Sequence, residues 1–181
     1  MDNFKVLLAK KEATYGTDAT PTAVANAILT RNFSAKPVET DQIKRELDLP
    51  VFGAQQALRT NERQRVGFEV ELAGSGAAGT AAAWHELLEA CGMVAPTITA
   101  GVKASQGFST PYVAQSSLTA YHYISDQMRK MVGARGTFGV NFVAGALPFM
   151  KLDFLGLIPA ATPFSKTAPG ASTLTRWKQP V

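Results

Sequence analysis

The sequence predicts an α+β chain that is mainly β: an antiparallel β-sandwich or open barrel with one flanking α-helix, long extended loops and a C-terminal arm. Three observations carry this. Val66, Phe68, Val70 and Leu72 alternate with Arg65, Gly67, Glu69 and Glu71, the period of a strand with one apolar face. Trp84, Leu87, Leu88 and Cys91 recur at i, i+3, i+4 and i+7, the stripe of an amphipathic helix. Residues 116–156 then read as successive strands separated by turns, and runs of strands around a single helix are an α+β arrangement.

In chain order, residues 14–22 are rich in Thr, Gly, Asp and Pro and read as a loop. Residues 27–33 read as a short strand. Residues 38–49 read as a two-faced strand, a helix being the weaker alternative: Ile43, Leu47 and Leu49 share one parity, and Gln42, Lys44, Glu46 and Asp48 the other. Residues 50–61 have little periodicity and read as a loop of about a dozen residues, a length that in compact domains often serves a function. After the 65–72 strand, residues 74–79 form a small-residue joint. The helix follows over about 81–91, with His85, Glu86 and Glu89 off its stripe and Gly92 placed for a left-handed C-terminal cap.

Residues 116–125 alternate Leu118, Ala120, His122 and Ile124 against Thr119, Tyr121 and Tyr123. Asp126 and Gln127 turn the chain into a strand at 128–132, and residues 137–144 and 149–156 read as a strand pair joined near Gly145 and Pro148. Four of the ten prolines lie beyond residue 156, among Thr and Ser. The prediction is one helix and seven or eight strands in a domain over residues 1–156, followed by an extended arm over 157–181.

A chain of 181 residues suits one domain, and burial of roughly 70% of the unfolded surface is enough for a core. The single cysteine, Cys91, excludes an internal disulfide framework and a cysteine-based zinc site. Only four apolar residues separate Lys5 from Lys10, too few for the core of a signal peptide. The longest apolar run, 142–150, is broken by Gly145 and Pro148 and is too short to span a bilayer, so no membrane partner is expected. Charged residues make up 18% of the chain against about 25% in ordinary soluble domains, and a surface short of charge suits an interface. Of the net charge of +4, the segment 157–181 supplies Lys166, Arg176 and Lys178 with no acid. The remainder is near neutral, which argues against a dedicated nucleic-acid clamp.

Gly74, Gly76 and Gly79 match G-x-G-x-x-G between a strand and a helix, the position of a dinucleotide-binding turn. The match is weak. The preceding strand alternates, where a parallel strand covered on both faces would be apolar throughout. No Asp or Glu stands between Glu89 and Asp126 to hold a ribose. A nucleotide-binding enzyme is therefore the minor alternative, and the stretch reads better as a linker that folds the helix back on the sheet. No G-x-S-x-G is present. His122 shares parity with Leu118 and Ile124 and reads as a partly buried, hydrogen-bonded residue; His85 reads as a surface helix residue. Cys91 lies on the apolar stripe and reads as an inert thiol. Glu69 and Glu71 read as a solvated pair. Arg59, Arg63 and Arg65 are interrupted by Glu62 and have no interleaved aromatic to stack bases. No enzyme activity, cofactor or metal is expected.

Residues 8–18 (Leu-Ala-Lys-Lys-Glu-Ala-Thr-Tyr-Gly-Thr-Asp), 70–79 leading to Trp84-His-Glu-Leu-Leu-Glu-Ala-Cys-Gly92, then Gly133-Ala-Arg-Gly-Thr-Phe-Gly-Val140 and Leu152-Asp-Phe-Leu-Gly156, taken together and in this order, resemble the major tail tube proteins of long-tailed, non-contractile bacteriophages. Ala83 stands where that family carries proline. The resemblance spans about residues 6–158 and includes the glycine joint and its helix. It implies a ring-forming β-sandwich with a flanking helix. Six copies would make a ring, and stacked rings a tube whose channel carries DNA and, before it, the tape-measure protein. The implied partners are further copies of the chain, the tape-measure protein, and terminator and distal tail proteins. The implied location is the virion tail, after assembly in the host cytoplasm. A tail terminator or a bacteriocin or secretion tube of similar fold is the alternative.

On that reading the loop residues Pro50, Val51, Phe52, Gly53, Gln55, Gln56, Leu58 and Arg59 are expected to reach a neighbouring subunit or ring, with the basic arm as a weaker candidate for the same role. Gln42, Lys44, Glu46, Asp48, Arg65, Glu69 and Glu71 are expected to share a lumen-facing polar surface, their charges summing to −2 per subunit. Trp84, Leu87, Leu88 and Cys91 are expected to pack the helix on the sheet.

Overall fold

The computed structural model describes residues 5–45, 53, 56–108, 110, 115–125, 127–159 and 169. Among them the chain forms β1 (Lys5–Lys11), α1 (Ala23–Asn26), β2 (Ala27–Ile28), β3 (Arg31–Lys44), β4 (Ala57–Glu71), α2 (His85–Ala90), β5 (Thr97–Thr99), β6 (Lys103–Ser105), β7 (Leu118–Ile124), β8 (Gln127–Asn141) and β9 (Phe149–Leu157). Seven strands make one antiparallel sheet in the order β2-β1-β7-β8-β9-β4-β3, and β5 and β6 form a separate hairpin. The mainly-β, α+β class is as the sequence predicts, and the sheet does not close into a barrel.

One strand turns this sheet around its core. β8 has fifteen residues. Its first half pairs with β7 and its second half with β9, with register shifts on both sides near Gly133. Gly133 has φ +60°, a region that costs other residues free energy, and a Cβ there would sit 3.1 Å from the Tyr15 ring. The bulge re-aims the strand. Leu7, Ala9, Leu118, Ala120 and Met131 from one half of the sheet then meet Val66, Phe68, Val70, Leu152 and Phe154 from the other in a single core. Leu87 and Leu88 of α2 enter the same core, with Trp84 and Cys91 packed at its margin, as the stripe predicts. At the open side Lys5 Nζ donates to the Phe33 carbonyl at 3.2 Å, so a side chain bridges β1 to β3 where no ladder forms.

A second, smaller cluster covers the outer face of β1 and β7. Val6, Leu8, Tyr121, Tyr123 and Met128 lie under Ala23 of α1 and the segment around it. β7 is therefore buried on both faces rather than on one. Asp18 anchors the covering loop, accepting from the Tyr121 hydroxyl at 2.6 Å and from Lys130 Nζ at 2.6 Å.

Several boundaries differ from the sequence reading, each for a physical reason. The 27–33 strand divides into β2 and the start of β3, with Asn32 at φ +52°. Residues 57–61 belong to β4 and not to a loop, because β3 supplies ladder partners for residues that carry no apolar pattern of their own. The segments 128–132 and 137–144 are one strand, continuous through the Gly133 bulge up to Asn141. The helix begins at His85 and not at Ala81: the Trp84 indole donates to the Ala73 carbonyl at 3.0 Å and His85 Nδ1 lies 2.8 Å from the Ala82 carbonyl oxygen, which holds the alanines in a turn. Its end is as expected: Gly92 has φ +94°, and the Met93 and Gly92 N–H groups return to the Leu88 and Glu89 carbonyls in a Schellman cap. Glu89, off the stripe, is nonetheless buried and ion-paired with Lys11. Helix α1 and the β5–β6 hairpin were not expected. The arm lies almost wholly outside the described residues, and Leu157 is the last residue of β9.

The joint between the β1 end, β7 and the β8 bulge is a buried carboxylate. Glu12 accepts from Gly16 N at 2.9 Å, Ser117 Oγ at 2.6 Å, Thr119 Oγ1 at 2.8 Å and Gly133 N at 2.7 Å. Glu12→Ala leaves four buried or half-buried donors without an acceptor, at a cost of roughly 3–5 kcal/mol. The expected result in a thermal melt is a fall of roughly 6–20 °C, given about 2–4 °C per kcal/mol at this chain length. A fall under about 2 °C would show that the bulge holds itself.

Candidate functional site

The glycine motif has a structural explanation. Gly76 and Gly79 have φ of +77° and +72°, and a Cβ on Gly79 would lie 2.5 Å from Gly101 N and from the Thr99 carbonyl oxygen. The joint is thus pressed against the turn of the β5–β6 hairpin, where Val102 N donates to the Thr99 carbonyl at 3.0 Å. The glycines serve close packing of backbone on backbone. A cleft of about 670 Å³ runs between joint, helix and hairpin, lined mainly by small and apolar residues such as Ala78, Ala82, Trp84, Leu88, Met93 and Val102. It contains no cationic cradle for a pyrophosphate beyond Lys103. The α2 helix beside it is only six residues long.

The titratable groups singled out in the sequence are not arranged for catalysis. Burial pushes the Cys91 thiol up to about 12, so it carries no thiolate at neutral pH. His85 is half-buried and bonded to the turn before its helix rather than free at the surface. His122 is 1% exposed, tilted against Phe33 at 5.8 Å, and neither ring nitrogen has a hydrogen-bond partner among the described residues. In place of the expected hydrogen bond, its ring packs on Phe33, and its direct cross-strand partner is Arg129. No group of three or more His, Cys, Asp or Glu side chains converges for a metal among the described residues.

What the fold does build is a broad charged face. The register places Arg63, Arg65, Gly67, Glu69 and Glu71 of β4 opposite the core, beside Lys36 and Glu39 of β3 and Lys151 and Asp153 of β9. Most of its charges are paired. Glu69 accepts from Arg31 Nε and Asn32 Nδ2, both at 3.0 Å, and those bonds hold its carboxyl below the usual range, Asn32 first and Arg31 second. Arg65 Nε donates to Asp153 at 3.0 Å, and Arg63 spans Asp41 at 3.3 Å and Glu39 at 3.7 Å. Arg31 also covers the Phe149 ring at 3.6 Å. On these three strands Arg31, Lys36, Arg63, Arg65 and Lys151 balance Glu39, Asp41, Glu69, Glu71 and Asp153. Over these ten residues the charges sum to zero, because β9 and the start of β3 bring Lys151 and Arg31 beside Glu69; Glu46 and Asp48, which the sequence reading counted toward −2, lie outside the described residues. Gln42 and Lys44 are exposed on β3, opposite Arg59 and Ala57. Glu46 and Asp48 lie outside the described residues.

Two hairpins extend from the ends of this sheet. β4 finds its last β9 partner at Arg63, so residues 57–62 pair only with β3 and leave the sheet as a two-stranded arm. Leu58 and Arg59, expected in a loop, are strand residues of that arm. Gly53 and Gln56 are exposed, and Pro50, Val51, Phe52 and Gln55 lie outside the described residues. The β8–β9 hairpin projects at the other end, with Phe142, Val143 and Leu147 exposed.

These surfaces, with no reaction centre built among the described residues, agree with a family match. The family model described as phage tail tube protein matches residues 5–178. The chain belongs to the phage tail tube family. A search of curated proteins finds no match. Membership makes this a structural tail protein, one that self-associates into a tube and resides in the virion tail. Among the described residues no helix is long and apolar enough to cross a membrane.

The tail tube subunit carries one titration with a readable consequence. Burial, helped by the positive charge of Arg129, pulls the His122 imidazole from 6.5 down to about 4. The folded pKa lies below the unfolded one, so the unfolded chain binds the extra proton between them. The stability due to neutral His122 is complete above about pH 6.5 and is lost as pH falls toward 4, a change on the order of 3 kcal/mol. Melts at pH 7 and pH 4.5 should show a clear fall for the native chain and a smaller one for His122→Leu. Equal falls in both proteins would contradict this.

Proposed function

We propose that the chain closes into rings, most simply of six copies, and that these rings stack around a channel through which DNA leaves the particle. The channel would first hold the tape-measure protein, and terminator and distal tail proteins would meet the ends of the tube. The observation that carries this is the charged face of β3, β4 and β9, wide, uncovered among the described residues and largely ion-paired within itself. β3 is an end strand of fourteen residues whose outer edge has no strand partner among the described residues, and such edges seek one. Pairing along that edge would carry the sheet from copy to copy and close a ring with the charged face turned inward.

The same pairing explains how a channel passes DNA without holding it. Affinity for the duplex rises with each phosphate that an arginine or lysine neutralises. Arg31, Arg63 and Arg65 already have carboxylate partners, so few cations stand ready. Arg65, Glu69 and Glu71 stay in the proposed lumen, joined by Arg31, Asp153 and Lys151. Gln42 and Lys44 belong to the arm, and Glu46 and Asp48 lie outside the described residues. The segment 46–56 and the residues beyond Leu157 are proposed to contact neighbouring subunits, and the family match runs through residue 178.

The test removes the carboxylates without touching the core. Glu69→Gln with Asp153→Asn should fold, since exposed ion pairs contribute about 0–1 kcal/mol each. Tubes assembled with short duplex DNA should then retain nuclease-resistant DNA at low salt and lose it as salt rises, while native tubes retain little. Equal retention by both would place this face outside the lumen.

A further inference from the structure

We propose that side-by-side copies in a ring lock together by a knob and a cleft. The β8–β9 hairpin tip of one copy, with Phe142, Val143 and Leu147, seats in the cleft between glycine joint, α2 and β5–β6 hairpin of a second copy beside it. This rests on the ring reading above and names a lateral contact for it.

The knob is preformed. Phe142, Val143 and Leu147 are 75%, 58% and 66% exposed, and residues 142–150 include no charged side chain. Ala146 N donates to the Val143 carbonyl at 3.2 Å, and Gly145 turns the chain at φ +79°. Leu72 N donates to the Pro148 carbonyl at 3.1 Å, which fastens the turn to the end of β4. An ordered turn that holds three large apolar groups in water marks an interaction site.

The cleft is preformed as well. Its joint wall carries only small side chains, and Gly79 lies so close to Thr99 and Gly101 that a Cβ would not fit. Trp84, Leu88, Met93 and Val102 supply the larger apolar groups. The Gln106 amide donates to the His85 carbonyl at 3.1 Å and ties the segment after β6 to the helix. A cleft of about 670 Å³ with this lining suits aliphatic and aromatic side chains. Phe142 would gain an aromatic partner in Trp84 and a thioether in Met93.

Their placement decides the partner. Both leave the same end of β4: Glu71, its last residue, pairs with Phe149 at the base of the hairpin, and Gly74 opens the joint three residues later. At about 3.3 Å per residue that separation is on the order of 10 Å. Within one copy the Pro148 tie and the Gly79 packing hold knob and cleft apart, and both stand open. A second copy placed alongside brings knob to cleft without an advance by the length of β4. A heterologous contact of this kind, repeated by rotation, closes a ring. Charge agrees: Lys103 is exposed at the cleft and Glu71 stands at the base of the knob, and neither has an ion-pair partner among the described residues. Three side chains bury much less than the ~1,600 Å² of a standard interface. The knob therefore acts beside the β3 edge and not in place of it.

Cross-linking of the full chain tests the pairing. Copies carrying Val143→Cys are mixed with copies carrying Val102→Cys, both at exposed positions, assembled, and treated with a short bis-maleimide. Cys91, buried with its thiol pushed up to about 12, reacts slowly. Mixed dimers that form in assemblies and not in dilute subunits are the expected result. A chain carrying both substitutions should give a ladder on a denaturing gel that stops at the number of copies per ring counted by electron microscopy. A ladder that runs past that number puts the contact between rings. A link inside single dilute chains puts the knob in its own cleft. A link from Val102→Cys to Trp177→Cys, with none to Val143→Cys, gives the cleft to the C-terminal segment. Each of these, or no link at all, overturns the pairing. In parallel, Phe142→Asp and Ala78→Phe, both at exposed positions, should keep the native melting temperature. They should raise the concentration needed for assembly roughly tenfold or more, the effect of losing one anchor of a contact. Assembly of either variant at the native concentration would overturn the pairing while leaving the ring reading intact. Failure of the native chain to form rings would overturn the reading beneath it.

Discussion

The fold depends on a carboxylate buried where three segments meet. Glu12 follows directly on β1 and accepts from the loop at Gly16, from Ser117 and Thr119 of the β7 region, and from the Gly133 amide in the β8 bulge. A buried charge is costly unless its lone pairs are filled, and here four donors fill them. The gain is geometric. A bulge interrupts ladder hydrogen bonds, and the amide freed at Gly133 receives its acceptor from 121 residues away in sequence. With that amide satisfied, β8 runs through the bend and belongs to both halves of the sheet.

The surfaces follow from that bend. Because β8 serves β7 with one half and β9 with the other, the β3-β4-β9 part of the sheet shares its inner face with the common core and leaves its outer face uncovered. The stacked rings Phe33, Phe68 and Phe154, with centroids 6.4 and 5.8 Å apart, tie β3, β4 and β9 together from within. Outside, the Arg31–Glu69 and Arg65–Asp153 pairs lie across the same strands. The long strands outrun their neighbours, and their unaccompanied ends are the hairpins that present Leu58 at one end and Phe142 at the other.

Local periodicity made the 65–72 strand, the helix stripe and the Gly92 cap legible, because each is specified by neighbours within one or two turns of chain. The joint at Gly145 and Pro148 was legible for the same reason. Residues 57–64 were not, since their strand conformation rests on charge and ladder partners across the hairpin. The run Gly133-Ala-Arg-Gly136 looked like a break because the Gly133 amide takes its acceptor from Glu12, and a glutamate in a turn-rich stretch carries no mark of burial. The β5–β6 hairpin was not legible, because its strands are only three residues each. The carboxylates at 69 and 71 were correctly set opposite Val66 and Phe68. Their neutralisation was not legible, because Arg31 and Lys151 arrive from strands 38 and 82 residues away from Glu69 in the chain.

The central claim is that this bent sheet is one unit of a tube, with its ion-paired face turned to the channel. Cryo-electron microscopy of the purified native chain, concentrated until it assembles, tests that most directly. The account predicts hollow tubes of stacked rings in which β3, β4 and β9 line the channel. Solid fibres, closed single rings at every concentration, or tubes with Arg65 and Asp153 on their outer wall would contradict it.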